Sequence, residues 1–172
     1  MAYLVMTLRA LVAGVFLVSF VGKVRSREAF TGFAGSVRRI GRVPRRFATP
    51  VAVGVIAVES GIVVLTAVPA TGMVGLVSAG VVLTVFAIAL ATALRRGAAE
   101  PCRCFGVREE PIAWRHVVRN IVLAACALGG AALTPGVEGA SIQPAAVPLC
   151  LLVAAAFVGV VAGLDDLMFL FR

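Results

Sequence analysis

Apolar positions in this chain run on unbroken, in long stretches separated by short polar or turn-forming segments. Five runs stand out: Tyr3 to Gly22, Ala48 to Val68, Gly72 to Leu94, Val117 to Leu133 and Ala145 to Leu164. At about 1.5 Å per helical residue, each is long enough to cross a hydrocarbon core about 30 Å thick, the fourth being the shortest. Lipid offers a backbone no hydrogen-bond partners, so each run is predicted to be α-helical, and none alternates as a membrane barrel strand must. The predicted fold is all-α, a polytopic membrane helix bundle forming a single membrane domain. Gly54 with Gly61, Gly72 with Gly75, and Gly159 with Gly163 are expected to let helices approach closely. Pro50, Pro144 and Pro148 are expected in first turns, where a missing N–H costs least.

The segment Glu28 to Phe47 has a different pattern. Phe30, Phe33, Val37 and Ile40 recur at spacings of three and four, and Arg38, Arg39, Arg42, Arg45 and Arg46 follow toward its end. This predicts an amphipathic helix lying in the membrane interface after the first span. Gly32, Gly35 and Gly41 carry a helix penalty that keeps a solvated basic loop as the competing reading. The first run is read as a retained membrane helix, not a cleaved signal. No basic residue precedes Arg9, Lys23, Arg25 and Arg27 follow the run, and no small-x-small cleavage pattern separates it from them.

Composition agrees with a chain whose main solvent is the bilayer: 61% of the 172 residues are hydrophobic and 14% charged, with a mean hydropathy of +1.07. The 16 basic against 8 acidic residues do not signal nucleic acid, because no basic domain interleaved with aromatics exists to carry it. The basic residues orient the bundle instead. Lys23 to Phe47 holds eight of them and the connection from 95 to 116 holds five, while Pro69 to Thr71 and Thr134 to Pro144 hold none. The positive-inside rule then places both basic connections in the cytoplasm, the N-terminus outside and the C-terminus inside.

The most informative local feature is Glu100-Pro101-Cys102-Arg103-Cys104-Phe105-Gly106, in the second basic connection. Two thiols one residue apart at a membrane surface can cycle between a dithiol and a small-ring disulfide. Arg95, Arg96, Arg103 and Arg108 favour the thiolate, which is the attacking species. Metal half-site and incidental loop are the competing readings. A closed zinc site needs four ligands, and beyond Cys102 and Cys104 this connection offers only His116, so no metal site is assigned. A single His also leaves haem without a bis-His axial pair. Cys126 and Cys150 lie within apolar helices and read as packing residues, although the depth of Cys126 decides whether it is able to resolve a disulfide.

Glu59 stands mid-run, with no other charge from Ala48 to Leu94. A carboxylate in hydrocarbon must be buried in the bundle, protonated or paired, and Arg9 in the first run is its expected partner. Together they define either a proton or substrate site or an interhelical tie. Lys23, Arg119 and Asp165 lie near helix ends, where snorkelling to the interface accounts for them.

Arg9, Lys23, Pro50, Glu59, the Cys102-x-Cys104-Phe105-Gly106 element and Arg119-Asn120 together resemble the methylamine utilisation MauE family, over roughly Met1 to Leu133. The resemblance implies a four-helix core similar to DoxX-like and vitamin K epoxide reductase-like proteins, with the last run added to it. It further implies thiol–disulfide exchange at Cys102 and Cys104, supported by Arg103 and Arg119, with a thioredoxin-like partner in methylamine dehydrogenase maturation. Such a role for an exported enzyme implies a Cys pair outside the cytoplasm, whereas the charge asymmetry implies one inside; the asymmetry is followed here. The alternative is a non-enzymatic small transporter or assembly subunit using Glu59 and Arg9. No cofactor is signalled, a quinone stays open as electron acceptor, and the sequence names no oligomeric state.

Overall fold

The computed structural model describes residues 1–97, 101–102, 110–137 and 143–170, with the backbone alone for 101–102, 110–111 and 162–170. Among these residues the chain forms helices α1 (Ala2–Val24), α2 (Arg27–Ile40), α3 (Arg45–Ala67), α4 (Gly72–Arg95), α5 (Trp114–Leu133) and α6 (Val147–Leu170). Two two-residue strands, β1 (Pro101–Cys102) and β2 (Glu110–Pro111), pair antiparallel between α4 and α5, Cys102 opposite Glu110. Five segments are long and apolar enough to cross a membrane: Ala2–Val24, Arg45–Ala67, Pro69–Arg95, Trp114–Leu133 and Pro144–Val161. The protein is an all-α polytopic membrane bundle.

The interfacial segment is helical, but shorter than predicted. Ser26 starts α2 by accepting a hydrogen bond from the Ala29 N–H at 3.0 Å, which satisfies one of the open donors of its first turn, and Phe33, Ser36 and Ile40 bury one face of the helix. The helix stops at Gly41, after which Arg42 takes a left-handed conformation (φ 51°). Pro44 then opens α3 at Arg45, three residues before the apolar run begins. Pro50 consequently lies past the first turn of α3 instead of within it, on its exposed side. The span predicted from Val117 begins at Trp114 and reaches 20 residues.

Helix α1 is central. Leu11, Val12, Val15 and Phe16 interlock with Ile62 of α3, Leu76, Ala79 and Leu83 of α4, Leu123, Ala124 and Ala127 of α5, and Ala154 of α6. Helices α1, α3, α4 and α5 make the core, and α6 lies against α1. Outward positions stay apolar, with Leu152 67% and Val64 61% exposed, as a surface solvated by acyl chains requires. Of the small-residue pairs, Gly72 and Gly75 are true close approaches: a Cβ on Gly75 would lie 2.6 Å from the Thr66 amide nitrogen. Gly54, Gly61 and Gly159 face open space.

The two basic connections meet at one end of the bundle. The Arg96 guanidinium donates to the Ile40 carbonyl at 3.0 Å, tying the end of α4 to the end of α2. Ile40, Ala87, Leu90, Ala93, Ile112 and Val117 form a second apolar cluster there. The strand carrying Cys102 lies beside α2.

Candidate functional site

The most buried polar side chain among the described residues is Glu59, past the middle of α3 and 1% exposed. Its partner is Lys23, whose Nζ donates to the two carboxylate oxygens at 2.7 and 2.9 Å. The Ser19 hydroxyl donates to the same carboxylate at 3.1 Å and accepts from Lys23. The Phe33 ring of α2 covers the ammonium, its centroid 4.9 Å from Nζ. Four residues from three elements thus close one ion pair away from lipid and water.

This corrects two expectations. Arg9 is not the partner of Glu59, and Lys23 does not snorkel. The reason is directional: every Cα–Cβ bond leans toward its helix N-terminus. On α1, which runs toward the basic end, a terminal lysine leans back into the bundle, while Glu59 on the oppositely directed α3 leans toward the basic end to meet it. Ten residues separate Arg9 from Ser19 on α1, about 15 Å of axis at ~1.5 Å per residue. Arg9 leans, like Lys23, toward the α1 N-terminus and so away from Glu59, where its Nε and Nη2 donate to the Thr66 carbonyl at 3.2 and 2.8 Å, and Nη2 also to the Val68 carbonyl at 2.9 Å. These are terminal carbonyls of α3, at the negative end of the helix dipole. The guanidinium lies over Gly72, where a Cβ would collide with it. Glu59 and Arg9 therefore do not share a site.

Lys23 is the member that sequence reasoning passed over. Its signal was the i, i+4 spacing from Ser19, which puts a hydroxyl and an ammonium on one face of an otherwise apolar helix.

Cys102 is placed in β1 at the basic end, next to α2. Arg103 and Cys104 lie outside the described residues. Arg119 is on the first turns of α5, together with buried His116 and Asn120. Cys126 of α5 is half-buried and Cys150 of α6 is buried, the latter with its Sγ 3.9 Å from the Tyr3 carbonyl. Among the described residues no group of three or more His, Cys, Asp or Glu gathers as metal ligands.

A bundle of four packed spans plus one, enclosing a buried Lys–Glu pair and bearing the paired strands β1 and β2 at its basic end, defines a polytopic integral membrane protein. The chain belongs to the MauE family, whose model, described as methylamine utilisation protein MauE, matches residues 1–133. It is 34% identical over 145 residues to the methylamine utilization protein MauE of Paracoccus denitrificans, covering 83% of this chain and 76% of that one. To the protein of the same name from Paracoccus versutus it is 33% identical over 132 residues, covering 74% and 68%. No solved structure matches it. The family match ends where α5 ends, so α6 lies beyond it.

Proposed function

We propose that this protein is a membrane thiol–disulfide exchange component that works with a thioredoxin-like partner, as an accessory to methylamine utilisation. One observation carries the reading: β1, the strand bearing Cys102, is seated at the basic end between α4 and α5 and beside α2. Arg96, which ties α2 to α4, and the basic residues around it favour thiolate. The relatives' name supplies the link to methylamine utilisation.

In the exchange, a partner thiolate attacks the Cys102–Cys104 disulfide. One S–S bond breaks as a mixed disulfide forms, and the released cysteine leaves as thiolate. The partner's second thiol resolves the mixed disulfide, so two electrons pass from the partner's dithiol to the pair, and the reverse sequence returns them. Charge asymmetry favours the cytoplasmic side, which makes the pair an inlet for reducing equivalents.

The test uses the full chain in membranes, in a Cys126→Ala, Cys150→Ala background. A membrane-impermeant maleimide gel shift is run on intact and lysed cells, before and after incubation with reduced thioredoxin. The expected result is no labelling of intact cells, and in the lysate a shift of two labels that appears only after thioredoxin treatment. Full exchange in the Cys104→Ser variant sinks the two-thiol mechanism, and labelling of intact cells after reduction reverses the topology.

A further inference from the structure

At the end of the bundle away from the basic connections, a cavity of about 860 Å³ opens among α1, the ends of α3 and α5, the start of α4, and α6. Its wall is mostly apolar, formed by side chains such as Val5, Ala13, Met73 and Leu151, and among the described residues the one charged side chain on it is Arg9. Two hydroxyls on the wall are already used within their own helices. Thr66 donates to the Ile62 carbonyl at 2.7 Å and Thr134 to the Gly130 carbonyl at 2.8 Å. Arg9 spends Nε and Nη2 on α3 carbonyls. Its Nη1 has no hydrogen-bond partner among the described residues, and no carboxylate is on the described wall.

Arg9 is half-buried at the mouth of this apolar cavity, and carbonyl acceptors solvate its positive charge without neutralising it. The cavity is large enough for an alkyl chain of a dozen carbons, and is in the size range of small-molecule sites. We propose that this chamber binds an amphiphile with an anionic oxyacid head, its oxygen accepting from Arg9 Nη1 and its tail lying along α1 toward Leu151. The head is a carboxylate or a phosphate ester; both present the acceptor oxygens that a guanidinium recognises. Gly72 is a positioning residue, because only a residue without a Cβ leaves the guanidinium where it is.

The test is titration of the full chain, purified in an uncharged maltoside detergent, with dodecanoate below its micellar concentration, dodecanol serving as the neutral match. Dodecanoate is expected to bind at least tenfold more tightly than dodecanol. Arg9→Gln is expected to remove that preference. Gly72→Val keeps the charge but displaces it, and is expected to weaken dodecanoate at least tenfold. Ala70→Trp, on an exposed part of the wall, is expected to do the same without touching Arg9, so loss of binding is not confused with misfolding. Competition by dodecyl phosphate, matched by weaker dodecanoate binding in phosphatidylglycerol than in phosphatidylcholine nanodiscs, identifies a phospholipid head; dodecanoate binding insensitive to both identifies a free carboxylate. Equal affinity for dodecanoate and dodecanol overturns the proposal. So does binding that is absent in the natural chain and gained in Glu138→Gln, which would show that the chain supplies the counter-charge itself from the residue after Val137.

Discussion

Replacing Glu59 by Leu removes the acceptor of a fully enclosed ammonium. In the native bundle Lys23 Nζ has the two Glu59 oxygens at 2.7 and 2.9 Å, with side chains 2% and 1% exposed. After the substitution Ser19 and the Phe33 ring are what face it among the described residues. The Phe33 contact is present before and after the substitution and so cancels, leaving the cost of breaking a buried pair from one side, about 3–5 kcal/mol. Lys23→Met alone should cost a similar amount, because it strands the carboxylate with a single Ser19 donor. The double variant, Lys23→Met with Glu59→Leu, removes both charges and fills similar volume, so it should lie within about 1 kcal/mol of the native protein. Unfolding in mixed micelles, followed by the fluorescence of Trp114, the sole tryptophan, measures all four corners of the cycle. Additive single costs, with a coupling below about 0.5 kcal/mol, would refute the assignment of this pair as the tie between α1 and α3.

Other consequences follow from single positions. Gly75→Val forces side-chain atoms onto the Thr66 backbone and should cost about 1–3 kcal/mol in the same unfolding assay, whereas Gly54→Val, which meets open space, should cost less than about 0.5 kcal/mol. Ser26→Ala removes the α2 cap and should destabilise that helix by about 1 kcal/mol, read as faster amide exchange over 27–40 with α3 unchanged. Arg42→Gly relieves the left-handed conformation at φ 51° and should stabilise the protein by about 1 kcal/mol, seen as a raised unfolding midpoint.

Much of this protein was legible along the chain because lipid leaves a backbone few choices. An apolar run of some twenty residues must be a helix, since nothing around it will take its N–H and C=O groups. That argument alone placed α1, α3, α4, α5 and α6, and the three-and-four spacing of Phe30, Phe33, Val37 and Ile40 placed α2. Charge spacing likewise put Lys23 to Phe47 and 95–116 at one end, where Arg96 now meets Ile40. Partnerships were beyond its reach. Which charges meet depends on the lean of side chains along oppositely directed helices and on the stagger between them, and neither is written in hydrophobicity. Lys23 looked like a snorkelling terminus and is buried; Arg9 looked like the mate of Glu59 and faces the other end of the membrane. Only packing in three dimensions separated one imagined site into two, a sealed ion pair beneath α2 and a cationic chamber over Gly72.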